Sequence, residues 1–194
     1  MFTIFLVIEM NRAEFIKKKM FGKTLDVGCE AGKLHELIKS QNVYGLDLKV
    51  RNFGKNSIIG DAQSMSFKDE SFDTVIAGEL IEHLPNPENF LKESKRVLKK
   101  NGILIITTPN KKSWVNRILK SSFHRGHISL FDIPEIKKIV GKYFEIEEFF
   151  CLPYDSVSSW GSRFKKMFWL RKFIHHLAPQ SLQEDIIILG RKKL

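Results

Sequence analysis

Thr24-Leu25-Asp26-Val27-Gly28-Cys29-Glu30-Ala31-Gly32-Lys33-Leu34 is the stretch on which the fold turns. An apolar run ends in an acid and a glycine, a second glycine follows at Gly32, and helical spacing begins after it. A strand that turns tightly into a helix leaves backbone N–H groups and a helix N-terminus facing an open crevice. The next strand-like run, Val43-Tyr44-Gly45-Leu46, ends in Asp47, with Leu48 after it. An acid at the tip of the second strand of an α/β sheet is where ribose hydroxyls are held. Together the two features predict a nucleoside-bearing cofactor.

Strand and helix signals alternate on either side of that turn. Strands are expected over 23–28, 43–48, 56–60, 72–77 and 103–108. A helix over 32–40 carries Leu34, Leu37 and Ile38 on one side, and a longer one has its main body over 87–99. Asn101-Gly102 is expected to stop the longer helix in a left-handed conformation. Alternation with short connections predicts a parallel sheet covered on both faces, and the Val/Ile/Leu runs suit doubly buried strands. A further helix is expected over 132–142. Residues 144–151 and 185–190 read as two strands that pair antiparallel at one sheet edge. The fold class is therefore α/β: a doubly wound, mostly parallel seven-stranded sheet with helices on both faces and an antiparallel edge hairpin.

At 194 residues the chain is read as one domain. Residues 1–8 are apolar but short, with no basic region before them and no small-residue cleavage site after. That argues for a first helix running on through Glu14-Phe15-Ile16 rather than a signal peptide. No stretch reaches the roughly 20 apolar residues of a membrane-spanning helix. Cys29 and Cys151 have no metal-ligand spacing, so reduced thiols in a cytoplasmic protein are expected. A net charge of +10 suits an anionic partner, whether nucleic acid, phospholipid surface or phosphorylated substrate, and equally a solvated basic surface. Residues 153–180 form an insertion rich in aromatic and basic side chains, suited to a lid, a substrate cap or peripheral contact with an anionic membrane.

Glu30 narrows the cofactor. The phosphate-cradling fingerprint is G-x-G-x-x-G, whereas here an acid stands at the usual middle glycine of a Gly28-x-x-x-Gly32 turn. An acid repels a pyrophosphate and tolerates a sulfonium and an ammonium group. The reading moves from dinucleotide to S-adenosylmethionine, with an ordinary strand-to-helix turn as the bland alternative.

The motifs in this order resemble the class I S-adenosylmethionine-dependent methyltransferases, in particular the branch of the ubiquinone- and menaquinone-biosynthesis methyltransferases. The resemblance runs from Lys23 to Asn110 and more loosely to the end. Asp26 to Gly32 is similar to the family's first motif, which implies cofactor contacts by Asp26, Gly28, Cys29 and Gly32. Asp47 and Leu48 match the ribose-binding acid and its neighbour. Gly60-Asp61-Ala62 matches the adenine turn, with Asp61 facing the exocyclic amine and Ala62 offering its N–H. Glu79-Leu80-Ile81-Glu82-His83-Leu84-Pro85-Asn86-Pro87 resembles the family's segment after the fourth strand, and Arg96-Val97-Leu98-Lys99-Lys100-Asn101-Gly102-Ile103-Leu104 the helix-to-strand turn before the fifth. The glycine replaced by Glu30 is the departure.

The acceptor is less legible. The Asn/Asp-Pro-Pro-aromatic motif of base-amino methylation is missing, since Ala77-Gly78-Glu79-Leu80 stands in its place. No cysteine follows the fifth strand for C5 pyrimidine chemistry. If helical, Glu79, Glu82 and His83 share one face. Glu79 would then shape the cofactor pocket, and His83 would orient a loop or act as general base on a hydroxyl. In some quinone-precursor O-methyltransferases that this segment resembles, an acid–acid–His set holds a divalent cation, which makes that ion a further candidate cofactor. His127 is a candidate substrate contact, with a hydrogen-bonded structural role as the alternative. The expected function is methyl transfer to oxygen or carbon of a small, lipid-like or quinone-precursor acceptor. RNA methylation and an inactive cofactor-binding or membrane-peripheral protein are the alternatives.

Overall fold

Ile103 to Ile106 carry no polar side chain that would mark an outer face, and both faces of that strand are buried. A computed structural model describes residues 11–29, 33–38, 40, 42–49, 56–114, 126–152 and 175–193. Along the chain run α1 (Arg12–Lys19), β1 (Thr24–Val27), α2 (Lys33–Ile38), β2 (Val43–Asp47), β3 (Ser57–Ile59), β4 (Phe72–Gly78) and α3 (Pro87–Val97). They are followed by β5 (Leu98–Pro109), α4 (Ile133–Gly141), β6 (Phe144–Leu152) and β7 (Asp185–Lys192).

The seven strands lie in the order β3-β2-β1-β4-β5-β7-β6. The first five are mutually parallel. β7 runs antiparallel between β5 and β6, from Ile103 opposite Arg191 to Pro109 opposite Asp185, so the expected antiparallel pair forms one edge. Alternation sorts the core. Leu104, Ile106, Ile186 and Ile188 face α3 and α4, contributing to one cluster with Phe90, Leu91, Ile136 and Val140. Ile103, Ile105, Ile187 and Leu189 face the other way, with Phe15 and Ile16 of α1 and Leu34 and Ile38 of α2. Helices thus cover both faces. The direction of chain winding reverses between β1 and β4, and such a switch point opens a crevice beyond the carboxyl ends of those strands.

Some expectations change. The longer helix ends at Val97 instead of running to residue 99, because Leu98 is fully buried opposite Phe72 and already extended. Asn101 does take a left-handed conformation (φ 63°), but it lies inside β5 rather than capping the helix. Leu37 is exposed, since the Leu34/Ile38 pair four residues apart already fills the inward face of α2. The 1–8 stretch, Glu30 to Gly32 and residues 153–174 of the insertion lie outside the described residues. Among the described residues no helix is long and apolar enough to cross a membrane.

Candidate active site

The crevice is built on the turn that leaves β1. Gly28 has φ 78°, and its N–H donates to the Leu46 carbonyl at 2.7 Å. A Cβ there would stand 2.9 Å from Leu80 Cδ1, so both backbone and space call for glycine. Asp26 is buried, and its carboxylate meets His35 Nδ1 at 2.9 Å. Burial pushes its pKa above the ordinary value, with His35 opposing. The Cys29 side chain is buried beside Gly45, where a Cβ would stand 2.6 Å from its Sγ, so this residue can offer a ligand its backbone only. Gly32 lies outside the described residues.

Pairing of β2 with β3 brings the two predicted adenosine-side acids to one rim. The Gly60 N–H donates to the Asp47 carbonyl at 2.9 Å. Asp47 Oδ1 accepts from Lys49 N, and Leu48 is 67% exposed at the mouth. Asp61 Oδ1 accepts from Gln63 N at 2.8 Å, closing a turn that buries Ala62.

Glu79 leaves β4 in the left-handed region (φ 54°), its N–H held by the Thr107 carbonyl. Its Oε1 accepts from Thr107 Oγ1 at 3.1 Å and lies 3.0 Å from Arg12 Nη1. Arg12 is the candidate site residue the sequence reading missed. The available signal was Asn11-x-x-Glu14: both capping-box bonds form and make Arg12 the first residue of α1, aimed at the crevice.

The segment after Glu79 is not an α-helix. Residues Ile81–His83 form a single 3-10 turn, so Glu79, Glu82 and His83 do not share a face and the expected acid–acid–His set does not converge. Glu82 turns inward and is fully buried, with Oε2 accepting from Thr108 Oγ1 at 2.9 Å. Burial, then the nearby Glu79 charge, pushes its carboxyl pKa up to about 8. Its Oε1 has no hydrogen-bond partner among the described residues. His83 turns outward, and its Nδ1 lies 2.8 Å from the Gly126 carbonyl oxygen. His127 stands where Glu79 was expected: its ring centroid is 4.7 Å from that of His83, edge to face. Donor atoms of Glu82, His83 and His127 all lie within 4.8 Å of one another. The loop bearing His127 is fixed by the Glu82 carbonyl, which accepts from Ile128 N and Ser129 N, both at 2.9 Å. His83, the candidate base, and His127, the candidate substrate contact, are therefore neighbours. Cys151 is buried and its thiol pKa is pushed up to about 12, which removes it as a nucleophile.

A family model described as a methyltransferase domain matches residues 25–106. A protein of Methanocaldococcus jannaschii of uncharacterized function is 30% identical over 84% of this chain and 69% of its own length. The ubiquinone biosynthesis O-methyltransferase of Pelagibacter ubique is 35% identical over 52% of this chain and 48% of its own, and that of Histophilus somni 27% over 58% of each. This chain thus aligns with about half the length of those two enzymes. Among solved structures, a chain from the complex between the Haloferax volcanii Trm112 methyltransferase activator and a methyltransferase superposes with a TM-score of 0.69 at 14% identity, over 94% of this chain and 89% of that one. A SAM-dependent methyltransferase of Methanosarcina mazei gives 0.65 at 18% identity, over 93% and 97%. With this sheet order, motif order and set of relatives, the chain belongs to the class I S-adenosylmethionine-dependent methyltransferases.

Proposed function

We propose that the protein transfers a methyl group from S-adenosylmethionine to a hydroxyl of a small, aromatic or lipid-like acceptor. The observation that carries this reading is the adjacency of two unlike sites along one crevice. One side offers what an adenosyl amino acid needs: the Gly28 turn, Asp47 for the ribose, the Asp61-Ala62 turn for the base. Arg12, Glu79 and Asp26 supply one cation and two acids for a zwitterionic end beside a sulfonium. The donor set therefore fits the cofactor, which when bound supplies an electrophilic methyl carbon. The other side presents His83 and His127, groups that handle a proton. The ubiquinone biosynthesis O-methyltransferases named above supply the acceptor class. Positioning is the protein's main contribution, with a base for the hydroxyl proton.

The test is turnover with S-adenosylmethionine and a simple catechol, protocatechuate, read as S-adenosylhomocysteine released. Methyl ether formation supports the reading. Cofactor binding with no methylation of any hydroxyl acceptor in a phenol and catechol panel contradicts the acceptor class. A second reading, an RNA acceptor, is favoured by the +10 charge. It predicts methylation of RNA and binding that falls steeply with salt.

A further inference from the structure

The histidine pair carries more than proximity. A carbonyl oxygen only accepts hydrogen bonds, so the 2.8 Å contact from His83 Nδ1 to the Gly126 carbonyl requires the proton on Nδ1. In a neutral imidazole, Nε2 is then the bare nitrogen. We propose that the Gly126 loop presets His83 as an Nδ1–H imidazole whose open Nε2 takes the proton of a hydroxyl acceptor. This rests on the O-methyl transfer reading and deepens it: the acceptor must carry a proton that methylation displaces.

The loop packs closely on the His83 ring and is itself tied down. Gly126 comes so close that a Cβ on it would stand 3.3 Å from His83 Nδ1 and 3.5 Å from Cε1. Behind it, Ile128 N and Ser129 N bind the Glu82 carbonyl, and Ser129 Oγ donates to the Leu84 carbonyl at 2.9 Å. The residues flanking His83 in sequence therefore hold the loop that fixes its tautomer. Glu82 and Gly126 are positioning residues; His83 is the catalytic one. The titratable and charged groups around it are His127 and Glu82, with Glu79 and Arg12 acting on Glu82. His83 is exposed, so the proton it collects has a path to water.

The acceptor oxygen forms a bond to the methyl carbon, the S–C electron pair stays on sulfur, and the hydroxyl proton moves to Nε2. The products are a methyl ether, a neutral thioether and an imidazolium that releases its proton to solvent. His83→Gln is expected to lower kcat about 100-fold with cofactor affinity unchanged.

Long-range proton–nitrogen NMR of the cofactor-free protein tests the preset without any acceptor. The expected result is a protonated Nδ1 and a bare Nε2 on the neutral His83 ring. Gly126→Ala should convert this to a mixed tautomer population and lower kcat about tenfold. If Gly126→Ala does not fold, Ser129→Ala, which frees the same loop, should shift the tautomer ratio in the same direction. A dominant Nε2–H form of His83 overturns the proposal, as does a tautomer ratio unmoved by these variants. Stoichiometric Mg2+ or Zn2+ binding that shifts His83 and His127 together, with turnover lost on chelation, overturns it in favour of a cation site. Calorimetry with S-adenosylmethionine on the same sample reports separately on the methyltransferase reading.

Discussion

Arg12 and Glu79 stand 3.0 Å apart across the crevice, tying the helix before the sheet to the loop that leaves β4. Thr107 Oγ1 donates to the same carboxylate oxygen from β5, so three elements meet at one atom. A paired cation and acid at the open end of β1 and β4 can exchange partners with a zwitterionic ligand. Arg12→Met is therefore expected to weaken S-adenosylmethionine binding about tenfold or more while leaving adenosine binding nearly unchanged. Arg12→Lys should recover part of the loss, since it restores charge without the guanidinium fork. Calorimetry with both ligands reads the difference.

Asp47 carries the ribose end of the same ligand. Asp47→Ala removes the charged acceptor for two hydroxyls and should weaken binding of both S-adenosylmethionine and adenosine, by about 10- to 100-fold. Equal affinity in the variant would mean that the pocket lies elsewhere.

Glu82 makes stability depend on pH. Its carboxyl titrates at about 8 in the folded protein against an ordinary 4.5. As pH rises from about 4.5 to about 8, the unfolded chain gives up that proton while the folded chain keeps it. The stability tied to this group is thus complete at the acid end and is lost toward the alkaline end. Gln at this position does not titrate. Glu82→Gln should gain on the wild type steadily across that window, read as the difference in thermal midpoint at matched pH. A difference that does not change with pH contradicts the assignment.

Thr108 supplies the one side-chain hydrogen bond found for Glu82 among the described residues. Both residues are fully buried. Thr108→Val keeps the shape and leaves the carboxyl without that donor, at a cost of about 1–3 kcal/mol in urea denaturation.

The sheet was legible because its signals are local. Runs such as Ile103 to Ile106 are apolar on both faces, and glycine and acid punctuation marks the ends of several strands. The turn at Gly28 was equally legible, since a left-handed residue at a strand tip calls for glycine. Helix ends were less so. Val97 and Leu98 are both apolar, and only the tertiary partner Phe72 decides which of them is extended. The site split in the same way. Asp26 lies in β1, Asp47 ends β2 and Asp61 follows β3; Asp47 is legible from its place at a strand tip, and Asp26 and Asp61 from the resemblance of their motifs. The placement of Glu79, Glu82 and His83 depends on one left-handed residue and one 3-10 turn, which helical spacing misreads. Arg12 and the approach of His127 to His83 come from segments far apart in the chain, so no local pattern announces them.

On this reading the crevice at the ends of β1, β2 and β4 holds S-adenosylmethionine. The decisive measurement is titration calorimetry of the wild-type protein with that cofactor. The expected result is one-site binding with a dissociation constant of about 1–100 μM, lost in Asp47→Ala. Absence of binding at millimolar cofactor by folded protein would contradict it.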